Sequence, residues 1–213
     1  MCTVEKDIAN FTAIKYDAAS GKFLPEEKFI AVEKCFEIRL DGKFFKKIFC
    51  SPNDLEDLIA GVIAQEKLSD SAQIFSDVKF VAKDILACAD KILGELSTMH
   101  SKTNGVHSGA LFDGKRILIF REDIGRHNVF DKIFGAALRE KIFLGDKIII
   151  FSGRCSAEMI QKLGRMGIPA VLAKSVPTTL AIDIAQKLGI TLAARLSGGS
   201  FCIYTNPQRI VLS

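Results

Sequence analysis

Paired cysteines, long apolar runs and blocks of like charge are all missing from this sequence of 213 residues. None of the six cysteines belongs to a C-x-x-C pair, and their spacing predicts no zinc site. No apolar run approaches the roughly 20 residues of a membrane-spanning helix. The first residues carry charges too early for a secretory signal. We therefore expect a cytoplasmic protein with reduced thiols and without a membrane or zinc partner.

The charge balance is mild, with a formal net charge of +4. Lysine and arginine are scattered along the chain, so the sequence does not demand a nucleic-acid partner and we expect none. An anionic small ligand suits this charge equally well. The chain length fits one domain, or one domain with a small appendage.

Local signals predict hairpins and helices in the first half of the chain. Asp41-Gly42 and Asp113-Gly114 each separate two strand-like runs, which is a strong hairpin signal. Ser51, followed by Pro52, is interpreted as the N-cap of a helix. A second helix is predicted over residues 78–96 from apolar residues at helical spacing.

From Ser108 onward, strands alternate with helices. "KIIIF" and "AVLAK" are short apolar strands, as expected when helices cover both faces of a sheet. Helices end at Gly167 and Gly189, which suit the left-handed position after a helix. This alternation predicts a three-layer α/β/α domain over residues 51–213, preceded by a small β-rich subdomain over residues 1–50.

Polar segments collect where the predicted strands end, which is where ligands bind in such sheets. Helix N-termini, glycines, arginines and hydroxyl groups together suit a phosphorylated, nucleotide-like ligand. Each segment also has a plain structural interpretation, because serine and threonine cap helices and glycine shapes turns. The five segments are "TNGVHSG" (103–109), "REDIGRHN" (121–128), "SGRCS" (152–156), "KSVPTT" (174–179) and "RLSGGS" (195–200).

The histidines are open to the same two interpretations. His107 and His127 lie within polar segments, so each is a candidate for orienting a ligand, moving a proton or bonding a turn. His100 lacks such a context and is interpreted as a surface residue. Glu122 is interpreted as solvated, and Asp123 as a helix cap or a partner of Arg126.

Several long motifs resemble the formate dehydrogenase accessory protein family (FdhD/NarQ). They occur in the family's order and cover most of residues 49–210. The motifs are "CSPNDLEDLIAGVI", "TNGVHSGALF", "REDIGRHNVFDKIFG", "SGRCSAEMIQKLGRMGIPAVLAKSVPTTLAIDIAQKLGITL" and "YTNPQRI".

The resemblance implies a deaminase-like fold, a homodimer and a role as sulfur carrier. Family members pass sulfur from a cysteine desulfurase to the molybdenum bis(molybdopterin guanine dinucleotide) cofactor (Mo-bisPGD), which then enters formate dehydrogenase. GDP or GTP is the expected surrogate ligand. The family's guanine-dinucleotide segment matches Arg195, Leu196, Ser197, Gly198, Gly199 and Ser200. Further candidates for contacting the cofactor are His107, Arg126, His127, Ser152, Arg154, Ser175 and Thr178.

One family feature is missing. The family's sulfur-carrying cysteine lies in a Cys-Gly-x-Cys loop between the early helix and the next long helix. Here that interval, "KLSDSAQIFSDV", is short and contains no cysteine. Cys155 is the candidate substitute, because it follows Arg154 and opens a predicted helix, which favours a thiolate. The alternative is that Cys155 is a small apolar core residue.

Two functions of different classes follow from these observations. The first is a sulfurtransferase that uses an unusual cysteine, or a thiol supplied by a partner. The second is a non-catalytic cofactor-binding chaperone, or a paralogue that has lost the sulfur step. The motifs disfavour a zinc deaminase, since no glutamate follows His107 in the H-x-E pattern and Cys155 stands alone.

Overall fold

The computed structural model describes residues 7–68 and 73–212. A six-stranded mixed sheet forms its centre, with strand order β11-β10-β9-β8-β6-β7. The strands of this sheet are β6 (His107–Phe112), β7 (Ile117–Asp123), β8 (Ile148–Phe151), β9 (Ala170–Ala173), β10 (Thr191–Ser197) and β11 (Ser200–Thr205). β8, β9 and β10 are parallel, and their burial on both faces is typical of parallel strands.

Helices cover both faces of this sheet, which confirms the three-layer α/β/α prediction. On one face lie α4 (Arg126–Arg139), α5 (Ala157–Met166) and α6 (Thr179–Leu188). The other face is covered by α2 (Ala82–Asp90) and its π-helical continuation, Lys91–Leu96. The remaining helices are α1 (Leu55–Lys67), which packs on α4, and the short α3 (Thr98–Thr103).

Three small two-stranded sheets complete the structure. β1 (Ile8–Asp17) and β2 (Lys22–Ala31) form one hairpin, and β3 (Lys34–Leu40) and β4 (Lys43–Cys50) form another. β5 (Phe80–Val81) pairs with β12 (Ile210–Val211) after a 3₁₀ turn at Pro207–Arg209. The first hairpin packs against Met99 and Val106, whereas the second packs against α1. The division of the chain at residue 50 stays a prediction.

The predicted turns and helix ends are confirmed. Asp41 and Gly42 have φ angles of 49° and 77°, as a two-residue hairpin turn requires. The Asp113-Gly114 turn joins β6 to β7. Gly167 and Gly189 are left-handed residues after α5 and α6. No helix in residues 7–68 or 73–212 combines the length and hydropathy needed to cross a bilayer.

Two helix predictions need correction. Ser51 is not the N-cap of α1, because the helix begins at Leu55 after a left-handed Asp54. Ser51 instead bonds to the segment after β7: its Oγ accepts the Ile124 N–H at 3.2 Å. The helix predicted over residues 78–96 divides into β5, α2 and the π-helix. Apolar residues line one face of an α-helix and of a π-helix alike. The sequence therefore did not predict the change from α-helix to π-helix within this segment.

Candidate functional site

The five polar segments meet at one edge of the sheet. β7 runs parallel to β8, β9 and β10, since β6 is antiparallel to both β7 and β8. The segments after these four strands therefore lie side by side, together with the segment that enters β6. We call this the carboxyl edge, and it is where ligands bind in open α/β sheets.

Backbone hydrogen bonds join these segments into a continuous surface. The Ser108 N–H donates to Ser152 Oγ at 2.8 Å, and the Ser152 N–H donates to the Ser108 carbonyl at 2.9 Å. The Ser175 N–H donates to the Gly153 carbonyl at 3.3 Å, and the Leu196 N–H donates to the Lys174 carbonyl at 3.1 Å. Because each segment is fixed to the next, the donors at this edge are held in place before any ligand arrives.

The segment 195–200 is an exposed hairpin turn. Gly198 and Gly199 have φ angles of 57° and 72°, and Ser197 pairs with Ser200 across them. These values need glycine, so the turn interpretation of both residues is correct. Arg195 also has a positive φ, 63°, next to an irregularity in the pairing of β10 with β11. Such a conformation is unfavourable for arginine, so the surrounding structure must hold it in place.

Three of the nine arginines stand apart from the rest. The guanidinium groups of Arg126, Arg154 and Arg195 make no ion pair or hydrogen bond with any residue that the structure describes. The other six bond to carboxylates, carbonyl groups or the Gln65 amide. All three belong to the carboxyl edge, and all three are exposed. This edge therefore presents positive charge that the described part of the fold does not neutralise.

His107 lies at this edge and His127 points elsewhere. The His107 ring packs on Phe151 with 5.7 Å between centroids. Burial lowers the pKa of His107, and the Arg126 charge lowers it further, so His107 is neutral near pH 7. His127 instead lies 3.6 Å from Glu158 and lines a separate polar cavity with Asp131 and Lys162. The structure therefore does not bring the two histidines together.

The hydroxyl groups have different roles. Thr178 is a helix cap, since its Oγ1 accepts the Ala181 N–H at 3.3 Å. Ser152 Oγ joins β6 to the segment after β8 and also lines a cavity at this edge. Ser156 stands at the N-cap of α5 without a capping bond from its side chain. Hence Ser152 combines a structural bond with access to a ligand.

Cys155 does not meet the requirements of a sulfur carrier. Its side chain is fully buried in the core beneath α5. Burial raises the pKa of the Cys155 thiol to about 12, and the Arg126 charge opposes this only weakly. A carrier needs an accessible thiolate. The structure thus agrees with the alternative interpretation, in which Cys155 is a small apolar core residue.

The segment "REDIGRHN" is largely structural, contrary to the interpretation of Glu122 and to one of the two interpretations of Asp123. Glu122 is buried, not solvated, and its carboxylate accepts the N–H groups of Met99 and His100 at 3.3 Å each. Asp123 does not bind Arg126. It pairs with Lys132 at 2.7 Å, both side chains being completely buried. Arg126 alone of the charged groups of this segment remains available to a ligand.

Comparison with known proteins identifies the family. The FdhD/NarQ family model matches residues 65–211. The chain belongs to the FdhD/NarQ family. The sulfur carrier protein FdhD of Geobacillus kaustophilus (strain HTA426) is 32% identical, with 91% of this chain and 94% of the relative covered. The protein of the same name from Staphylococcus aureus (strain MRSA252) is 29% identical, with 93% and 94% covered.

A solved structure shows the same fold. The crystal structure of a protein from Desulfotalea psychrophila, provisionally described as a formate dehydrogenase accessory protein, superposes with a TM-score of 0.86. It is 21% identical in sequence, and the match covers 96% of this chain and all of that one. The layered fold described above is therefore shared with a protein of low sequence identity.

The two FdhD relatives contain residues that this chain lacks. Their alignments extend over 250 and 252 positions, although the chain has only 213 residues. Gaps in this chain account for the difference. The predicted loss of the Cys-Gly-x-Cys loop requires such a gap. Part of the short interval that replaces this loop, residues 69–72, lies outside the described residues.

Sequence reasoning missed part of the site. A cavity of about 270 Å³ opens at the carboxyl edge, and Lys174 and His100 line it together with His107, Ser108 and Ser152. Lys174 was visible within a polar segment, but nothing distinguished it from a solvated lysine. His100 is half-buried and not simply a surface residue, because its Nδ1 lies 2.9 Å from the Val106 carbonyl oxygen. Only the packing of α3 against the loop before β6 reveals this contact.

Proposed function

We propose that this chain is a sulfur carrier or carrier partner for Mo-bisPGD destined for formate dehydrogenase. The names of the FdhD relatives support sulfur carriage, and the family description of the Desulfotalea protein supports the client. The observation that carries the proposal is the carboxyl edge, where three exposed arginines without partners among the described residues lie in the segments that follow β7 and β8 and in the turn 195–200. A guanine dinucleotide supplies the phosphate charges that such an edge suits. A cysteine desulfurase is the proposed donor, and a homodimer the proposed assembly.

In this proposal the residues of the edge bind and orient the cofactor, which is the cargo and not a resident group. Arg126, Arg154 and Arg195 offer planar donors to phosphate oxygens. Ser197 and Ser200 flank the exposed glycines, so the backbone of the turn is open to close approach by a ligand. His107, neutral near pH 7, offers one donor or acceptor to a polar group of the cargo.

Sulfur transfer needs a thiolate that reaches solvent. That thiolate attacks the outer sulfur of the donor's persulfide, a new S–S bond forms on this chain, and the donor's thiolate leaves. Among the described cysteines only Cys35 and Cys202 are exposed. Cys202 lies in β11, two residues after the turn 195–200, whereas Cys35 lies in β3 opposite Phe49, whose carbonyl oxygen accepts the Asn128 side-chain amide at 2.9 Å. Cys202 and Cys35 are therefore the thiols to compare with Cys155.

A specific observation favours a second function, that of a cofactor-binding chaperone without its own persulfide. The interval that holds the family's Cys-Gly-x-Cys loop contains no cysteine here, and Cys155 is buried. In this alternative the edge still binds the cofactor, and this chain takes no part in the sulfur step. Both functions require the same ligand site and differ only in whether this chain becomes covalently loaded.

Intact-protein mass spectrometry after incubation with a cysteine desulfurase and cysteine separates the two functions. The wild type is compared with the Cys155→Ser, Cys202→Ser and Cys35→Ser variants. A reducible one-sulfur adduct that disappears in Cys202→Ser or in Cys35→Ser supports sulfur carriage by this chain and names the thiol. Absence of any adduct, with GDP still bound, supports the chaperone. If no adduct forms and GDP does not bind, both proposals fail.

A further inference from the structure

The cavity beside Lys174 differs in chemistry from the other cavities of the described chain. Its ten lining residues include one lysine, two histidines, three serines and an asparagine, and no aspartate or glutamate. The three other cavities described each contain at least one carboxylate. A concave surface rich in hydrogen-bond donors and lacking carboxylates suits an anion.

Lys174 is the one permanent cation in this lining. It makes no ion pair with any described residue, whereas Lys132 and Lys162 hold Asp123 and Asp131. The carboxylate of Glu122 accepts two backbone N–H groups and makes no ion pair with Lys174. The positive charge of Lys174 is therefore available to a ligand in the cavity.

The backbone of Lys174 is fixed from both sides. Its N–H donates to the Phe151 carbonyl at 2.9 Å, and its carbonyl accepts the Leu196 N–H at 3.1 Å. The first bond ties it to the end of β8, and the second to the turn 195–200. Lys174 therefore joins the lining of the cavity to the turn 195–200 through a fixed backbone.

We infer that this cavity is a subsite for a phosphate or diphosphate group, with Lys174 as its cation and Ser108, Ser152 and His100 around it. The inference rests on the proposed function for the identity of the whole ligand, but the subsite itself follows from the lining residues. Ser152 Oγ acts as an acceptor for the Ser108 N–H. Its own hydroxyl hydrogen therefore remains free to donate to a bound anion. Lys174 is thus a binding residue in addition to the arginines of the edge.

Calorimetric titration with GDP, guanosine and inorganic pyrophosphate tests the subsite. The variants are Lys174→Gln, Lys174→Arg and the control Lys187→Gln, which removes an exposed lysine near the end of α6. We expect Lys174→Gln to weaken binding of GDP and pyrophosphate about tenfold or more, as loss of a charge-assisted hydrogen bond does. Guanosine affinity should not change, Lys174→Arg should retain most of the binding, and the control should match the wild type.

The outcomes separate this inference from the proposed function. If GDP binds equally well to the wild type and to Lys174→Gln, the subsite is wrong while the guanine site stands. If pyrophosphate binds in a Lys174-dependent way but GDP and guanosine do not, the subsite stands and the guanine proposal fails. Failure of both pyrophosphate and GDP to bind the wild type overturns the inference. Thermal unfolding of each variant checks that the substitution of this exposed lysine leaves the fold intact.

Discussion

Asp123 illustrates how one residue of a polar segment can hold the site without touching a ligand. Its Oδ1 accepts the Gly125 N–H at 2.7 Å and the Asn128 side-chain amide at 2.8 Å. Its Oδ2 accepts the Ser51 N–H at 3.2 Å and pairs with Lys132. These bonds fix the start of α4 and tie β4 to the carboxyl edge. Arg126 is therefore presented from a backbone that cannot shift freely.

Removing the charge of Lys132 should destabilise the protein strongly. Lys132→Met leaves the buried Asp123 carboxylate without its cation, and breaking such a pair costs about 3–5 kcal/mol of unfolding free energy. Denaturant unfolding followed by circular dichroism measures the change. Arg116→Met is the matched control, because it removes an exposed pair with Asp113 that is worth roughly 0–1 kcal/mol. Equal effects of the two substitutions would contradict the structural role of the buried pair.

At the scale of elements, α1 and α4 approach each other closely. α4 is sandwiched between the sheet and α1, which explains why even Asp131 and Lys132 on this helix are buried. The approach depends on two glycines that leave room for the facing backbone. A Cβ on Gly61 would lie 1.9 Å from the Asp131 carbonyl oxygen, and one on Gly135 would lie 1.8 Å from that of Asp57.

Alanine at either glycine should therefore destabilise the protein. Helix propensity alone would make a glycine-to-alanine substitution stabilising by about 1 kcal/mol. A measured loss of stability would therefore report the steric clash and not the helix propensity. We expect Gly61→Ala and Gly135→Ala to lower the free energy of unfolding by about 1–3 kcal/mol, because the obstructing atoms are backbone and cannot move aside. Gly94→Ala is the control, since a Cβ there meets nothing within 4 Å. Stabilisation by Gly135→Ala in denaturant unfolding would show that the helices can separate at little cost.

The sequence predicted those parts of the fold that depend on local pattern. Asp-Gly turns, apolar strands and glycine helix ends all follow from the residues within a few positions of one another. Ser51 and Glu122 were misjudged because their partners lie elsewhere in the chain: Ser51 bonds to the segment after β7, and Glu122 to the start of α3. Likewise, the location of the candidate site at the strand ends was predictable, whereas the cavity at Lys174 depends on how α3 and the turn 195–200 pack together.

At the scale of the whole molecule, the cysteines divide into two classes that the sequence alone did not separate. Cys50, Cys88 and Cys155 are buried in three different apolar clusters. Burial raises the pKa of Cys50 to about 11, and those of Cys88 and Cys155 to about 12. Cys35 and Cys202 are exposed on strands at different places in the fold. The folded chain thus determines which thiols can meet a sulfur donor.

Thiol labelling should reproduce this division. In a Cys2→Ser background, which removes the cysteine outside the described residues, we expect a disulfide reagent to modify two thiols of the native protein rapidly near pH 8. The three buried thiols should react only after denaturation, because each is shielded and almost entirely protonated. A variant that also carries Cys35→Ser and Cys202→Ser should show no rapid phase. Rapid modification of Cys155 in the native state would mean that α5 opens to expose it, and would restore Cys155 as a candidate sulfur carrier.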